Sequence, residues 1–472
     1  MRKTSPVIIL FFFISHACTQ VIAQQTVITG KAPSYASTQL VFMRSADWIT
    51  GTEEVVGTCN VLESGDFRLE VSLKTTERLY LYMGIYLGYF FAEPGKTYQL
   101  VLPELTEKSA EEQLNPYFES VEIHLGLTNF NQDDLNMLTV MFDDAYIPYY
   151  NKHVNNPYAK NDVKKIEEDI QQIEKPFQGY PNGFFQEFRQ YRYGMLKLLA
   201  NQQRVQSLSD EYFNNQPALY NNPAYTDLFN HVYDKYFIFF VRTEEGKQIF
   251  SNINQTGSYK ALLNTLSKSA NFSNDTLKEL VILKQIHDEY YGNQFSRTGL
   301  LKILDSLLLS SHIEVHKQIG QNIKHKITRL QPGFEPPQFE LQDTDGSLVK
   351  LSDFKGRYVY LNFCTCQSYA CLNEFNMLSG LYQRHKDKLT ILTIATDPKE
   401  EVLRQFLVRN KYDWKFLYYD KQPSILKEYD IRAFPTYFLI GPDGKLIYSP
   451  ALSPGENFEA KLFEAMRAKG DL

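Results

Sequence analysis

Three cysteines crowd between positions 364 and 371: Cys364, Cys366 and Cys371. Thiols this close can exchange disulfides once one is deprotonated, or can hold a soft ion such as Cu(I) or Zn(II). Cys366 and Cys371 are spaced C-x4-C. One side falls in a loop and the other in the first turn of a helix, so a bridge with Cα atoms ~6 Å apart is conceivable. Cys364 and Cys366 flank a single residue, and the ring they would close is strained. The only histidine after Cys371 is His385, on the following helix, so the metal reading is the weaker one and no metal is assigned. Ser368 lies inside the cluster. A hydroxyl is a far weaker acid than a thiol, and no base stands beside it in the sequence, so its expected role is to cap the helix that begins there.

Other reactive residue types read as structural. Cys59 stands alone and suits a small buried apolar site. His312, His316 and His325 lack carboxylates or thiols at ligand spacing. Gly95-Lys96-Thr97 resembles the end of a phosphate loop, but Phe90 stands where the motif needs its first glycine.

The elements that must position these groups follow from periodicity. Phe67, Leu69, Val71 and Leu73 alternate with polar residues, as in a half-buried strand. Ser64-Gly65-Asp66 and Glu93-Pro94-Gly95-Lys96 punctuate further strands, and a β-sandwich is expected over residues 24–108. Residues 109–330 read as all-α. Leu135, Leu138, Phe142 and Ala145 share a helical face, as do Val163, Ile166, Ile170 and Ile173, and as do Val315, Ile319, Ile323 and Ile327. Pro176 stops the second of these runs, and Asn274 or Asp275 caps the helix carrying Leu277, Leu280 and Val281. Residues 331–337 (QPGFEPP) form a linker. Residues 338–472 then alternate strands and helices. Asp343-Thr344-Asp345-Gly346 reads as a hairpin turn, 357–363 and 389–395 as buried strands, 400–410 as a helix, and 416–419 and 436–440 as strands. That order predicts a three-layer α/β domain.

At ~150 residues per domain, 472 residues suggest about three domains. A net charge of −6 argues against nucleic acid as a partner. At the N-terminus Arg2 and Lys3 precede an apolar run from Val7 to Ile14, and Val21 and Ala23 sit at −3 and −1 of a cleavage site. Residues 1–23 therefore read as a secretory signal peptide. Cys18 offers lipidation as an alternative, the one route to a membrane, although Ser15 stands where lipoprotein signals carry an apolar residue.

The C-terminal zone resembles the thioredoxin superfamily, in the TlpA/ResA branch of envelope thiol-disulfide oxidoreductases. The resemblance rests on Pro337-Gln338-Phe339-Glu340-Leu341, on Leu351-Ser352-Asp353-Phe354-Lys355-Gly356-Arg357, and on Asn362-Phe363. Phe434-Pro435-Thr436 and Gly441-Pro442-Asp443-Gly444-Lys445 complete it. Family members read Asn-Phe-Trp-Ala-Thr-Trp-Cys-x-x-Cys-x-x-Glu from that strand end. The resemblance therefore puts Ser368 on the attacking cysteine and Cys371 on the resolving one, with Cys364 and Gln367 on the two tryptophans. It makes Pro435 the cis-proline facing the active-site helix, and Phe434 and Thr436 contacts for an extended substrate strand. Asn362 occupies a site where many thioredoxins carry a buried acid. The C-x4-C spacing is also similar to that of some peroxiredoxins, but Phe363 stands where their peroxide-binding threonine belongs.

What the resemblance implies is an exported protein of the periplasm or envelope of a Gram-negative bacterium, without a cofactor. Standard exchange is lost at Ser368, and binding of extended polypeptide near Pro435 is retained. The alternative is an oxidoreductase that meets the thiols or disulfides of partner proteins, in which Cys366 attacks and Cys371 resolves.

Overall fold

The computed structural model describes residues 23–472 apart from 110, 111, 113, 114, 116, 117, 156–162, 201–204, 398 and 420–422. The signal-peptide reading of Arg2, Lys3, the apolar run and Cys18 thus lies outside the described residues.

Nine strands come first: β1 (Gln24–Lys31), β2 (Gln39–Asp47), β3 (Thr52–Asn60), β4 (Asp66–Leu73), β5 (Glu77–Met83), β6 (Tyr86–Ala92), β7 (Thr97–Val101), β8 (Val121–His124) and β9 (Gly126–Leu127). They form two sheets, ordered β4-β1-β7-β9 and β3-β2-β5-β6-β8. Both sheets feed one buried cluster that includes Ile28, Phe42, Phe67, Leu81 and Phe90. Strand β4 buries Phe67, Leu69, Val71 and Leu73 and exposes the residues between them, as its alternation predicts. The sheets reach past residue 108, because β8 pairs with β6 and β9 with β7. Those two strands are too short to show a periodicity of their own.

Helices fill most of residues 135–328. Helix Asp275–Glu289 is at their centre, with Leu277, Leu280, Val281, Ile282, Leu283 and Ile286 all buried. Asn274 caps it by accepting the Leu277 N–H at 2.8 Å. In helix Glu314–Thr328, Ile319, Ile323 and Ile327 are buried, whereas Val315, in the first turn, is exposed. Polar contacts tie the zones together. Asn322 Nδ2 donates to Asp47 at 2.7 Å, Lys326 Nζ to the Thr50 carbonyl at 2.5 Å, and Lys427 Nζ to Glu53 at 2.8 Å.

The C-terminal sheet has seven strands: β10 (Glu340–Asp343), β11 (Leu348–Lys350), β12 (Tyr358–Cys364), β13 (Leu389–Ala395), β14 (Lys415–Tyr418), β15 (Thr436–Ile440) and β16 (Leu446–Ala451). Their order is β11-β10-β14-β13-β12-β15-β16. Strand β12 is buried along its whole length, parallel to β13 and antiparallel to β15. A strand covered on both faces needs an unbroken apolar run, and YVYLNFC comes close to one. Helices Tyr369–His385, Glu400–Asn410, Pro423–Glu428 and Phe458–Lys469 complete the domain. Helix Pro423–Glu428 was not expected; it is too short for its periodicity to register. The linker is not free chain. Gly333 N–H donates to the Leu446 carbonyl at 2.7 Å, and Leu446 N–H to the Phe334 carbonyl at 2.9 Å.

Candidate active site

The cysteine cluster spans the step from the central strand to the helix beside it. Cys364 is the last residue of β12, Thr365–Ser368 make the turn, and Cys371 lies in the first turn of helix Tyr369–His385. The parallel neighbour β13 ends beside this turn. Thr396, just beyond β13, gives both its N–H (2.9 Å) and its hydroxyl (3.1 Å) to the Cys364 carbonyl. The next residue, Asp397, is fully buried. Its carboxylate accepts the Thr365 hydroxyl at 2.8 Å and the Cys366 N–H at 3.0 Å. A buried carboxylate is tolerable only with such donors.

The three thiols experience different fields. All four described cysteines are free thiols. Cys371 is 0% exposed and Cys364 1%. The Cys364 thiol is the largest cause holding Cys371 below the ordinary thiol range. Burial opposes it, while the Thr365 N–H and the Ser368 hydroxyl add to it. Cys364 is pushed well up, first by burial and then by donating to Cys371. Cys366 is half-buried, and burial also pushes its thiol up, followed by the charge of Asp397 and a hydrogen bond to that carboxylate. Cys366 is thereby kept as a neutral donor. Cys364 acts on Cys371 most strongly, while Asp397, and after it Cys371, act on Cys366 once its burial is counted.

Ser368 stands at the N-cap position with extended backbone (φ −88°, ψ 121°), but its side chain makes no capping hydrogen bond. Its hydroxyl turns to Cys371 instead, so the expected side-chain cap is corrected to a thiol contact. Asn362 is fully buried; its amide donates to Leu392 O (3.2 Å) and Thr393 Oγ1 (3.0 Å), and its Oδ1 has no partner. Glu374, one turn beyond Cys371, accepts the Tyr437 hydroxyl from β15.

The Phe434–Pro435 bond is cis, and so is Ser449–Pro450. Thr436 pairs with Phe363 across the β12/β15 ladder, bringing Pro435 to the sheet end that carries Cys364. Phe434, Pro435 and Thr436 are all half-buried, and nearby in sequence to the cluster Tyr369 is 78% exposed.

Elsewhere, Cys59 is buried in the N-terminal core and its thiol is pushed up by burial. His316 is buried between Glu279 and Tyr220, each at 2.8 Å; His325 is exposed near Glu428, and His385 contacts Glu459. Among the described residues no group of three or more His, Cys, Asp or Glu is arranged to hold a metal ion. Sequence reasoning missed Asp397. The signal was present: an acid directly following the apolar run 389–395, where a neighbouring parallel strand places it against the cysteine loop.

Residues 332–449 match the AhpC/TSA family. The thiol-disulfide oxidoreductase ResA of Bacillus cereus is 32% identical over 150 residues, which are 31% of this chain and 84% of that protein. ResA of Bacillus subtilis is 29% identical over 159 residues, 32% of this chain and 82% of that one. The crystal structure of the thioredoxin domain of a thiol-disulfide oxidoreductase from Bacteroides vulgatus covers 29% of this chain and 98% of its own, at 28% identity and a TM-score of 0.27. By its match to ResA across most of that protein's length, the chain belongs, through its C-terminal region, to the thioredoxin-like family of ResA-type thiol-disulfide oxidoreductases.

Proposed function

We propose that this chain is an exported, envelope-located member of the family in which Ser368 replaces the attacking cysteine, so that its C-terminal domain binds extended polypeptide at Phe434-Pro435-Thr436 without exchanging disulfides. The N-terminal two-sheet unit is read as a sandwich and the helices after it as an accessory region. Export to the periplasm of a Gram-negative cell rests on the N-terminal charge and apolar pattern, and membrane attachment on lipidation at Cys18.

One observation carries this reading. Exchange with a protein partner needs a reachable thiolate. The sulfur with the lowered pKa, Cys371, is fully buried, and the reachable one, Cys366, is held protonated by burial and by Asp397. The half-exposed Phe434, Pro435 and Thr436 still offer side chains and backbone for strand addition. Exchange through Cys366 and Cys371 is the weaker reading for the same reason.

Two assays test the proposal. The full chain is expected not to accelerate the reduction of insulin by dithiothreitol above the uncatalysed rate, and Ser368→Cys to accelerate it. Reduced, carboxymethylated insulin B chain is expected to bind the wild type, and Phe434→Ala to weaken that binding. Insulin reduction by the wild type that is lost in Cys366→Ser would instead establish the non-standard pair.

A further inference from the structure

We propose that the groove between helix Val163–Glu174 and helix Gly183–Ala200 is a binding site for a neutral carbohydrate of disaccharide size. The site lies in the helical zone, and its occupancy does not depend on polypeptide binding at Phe434-Pro435-Thr436.

Size and shape come first. The groove has a volume of about 310 Å³, within the range of small-molecule sites. An ion pair stands towards each end. Glu174 meets Arg189 at one, where it also accepts the Tyr193 hydroxyl at 2.7 Å. Glu167 meets Lys197 at 3.1 Å at the other. These pairings set the two helices antiparallel. At a rise of 1.5 Å per residue, Glu167 and Glu174 are about 10 Å apart along their helix, the length of two linked sugar rings. Ile170 and Tyr193 line the stretch between the pairs and offer apolar surface to the C–H face of a ring.

The chemistry of the lining selects hydroxyl groups. Its charges balance, two carboxylates against two cations. A charged ligand is drawn by one member of each pair and repelled by the other, and gains only by parting them, which is costly where a partner is buried. A hydroxyl needs no such break, because it donates to one group and accepts from the next. The lining has capacity for it. A carboxylate offers about four lone-pair sites, and Glu167 uses one with Lys197. The Arg189 side chain is 7% exposed, and its Nε–H has no partner. Gln190 is exposed at the mouth, and its amide, both donor and acceptor, makes no hydrogen bond among the described residues. The ion pairs already hold the walls in place, so little side-chain freedom is lost when the groove fills.

The test titrates the full chain with maltose, cellobiose, lactose and chitobiose, and with trialanine and inorganic phosphate as charged competitors. Binding is read by saturation-transfer NMR and calorimetry. The expected result is one-to-one binding of at least one disaccharide, with no binding of trialanine or phosphate. Glu167→Gln and Gln190→Ala should each weaken that binding about tenfold, with the circular dichroism of the helices unchanged. Gln190 is exposed and unbonded, so its variant keeps the test independent of folding. Silence from all four sugars, or sugar binding that neither variant weakens, overturns the proposal. Binding of trialanine or phosphate in place of the sugars does the same.

Discussion

Replacing Asp397 with alanine should destabilise the C-terminal domain by about 3 kcal/mol. The carboxylate is fully buried and accepts the Thr365 hydroxyl and the Cys366 N–H. Each donor stranded without an acceptor costs about 1–3 kcal/mol. The two together span about 2–6 kcal/mol, and because the hydroxyl can rotate towards another acceptor whereas the backbone N–H cannot, the sum falls in the lower half of that span. Asp397→Asn keeps one carbonyl oxygen and should cost only about 1 kcal/mol. The chain has two tryptophans, and Trp414 lies buried in this domain with its Nε1 donating to Thr393 Oγ1 at 2.9 Å. In a Trp48→Phe background its fluorescence follows this domain alone. With a urea slope of about 2 kcal/mol per M, the midpoint should fall by roughly 1.5 M. Exposed Asp387→Ala is the control, expected within about 0.5 kcal/mol of wild type. Asp397→Ala also removes a negative charge that raises the Cys366 thiol, so Cys366 should react faster with iodoacetamide at a fixed mildly alkaline pH. An Asp397→Ala midpoint no different from the Asp387 control would refute the account of how this loop is held.

Cys371 should titrate below the ordinary thiol range in the folded chain, read as thiolate ultraviolet absorbance, and Cys364→Ala should move it upward by removing the donor. Because its folded pKa is the lower one, its contribution to stability is full above the unfolded thiol pKa and is lost as pH falls through the folded value. That pH dependence should weaken in Cys364→Ala, measured by urea midpoints across the window. In the helical zone, Leu280→Ala should cost about 2–5 kcal/mol by leaving a cavity at a fully buried site, read as a lowered thermal midpoint.

The parts of the fold that could be read from sequence were those with long, regular patterns. Strand β13 and helix Glu400–Asn410 match their expected limits to the residue, and β4 its predicted faces. Strands β8 and β9 escaped because a two- or four-residue pairing is decided by the neighbouring strand and not by its own sequence. At the site, sequence spacing supplied the cysteines but not their partners. Spacing measures distance along the chain, whereas Cys366 meets Asp397 between the loops that follow the parallel strands β12 and β13. Ser368 illustrates the same limit: its backbone position was legible, and the direction of its hydroxyl was not.

The bonds from Gly333 and Phe334 to Leu446 bear on how this protein can be dissected. They occupy backbone groups on the outer rim of β16, the last strand of its sheet. A fragment begun at residue 338, where the strand pattern starts, would leave that rim bare and invite a second molecule to pair along it. A fragment begun upstream of Gly333 carries its own cover and should stay monomeric under the same conditions.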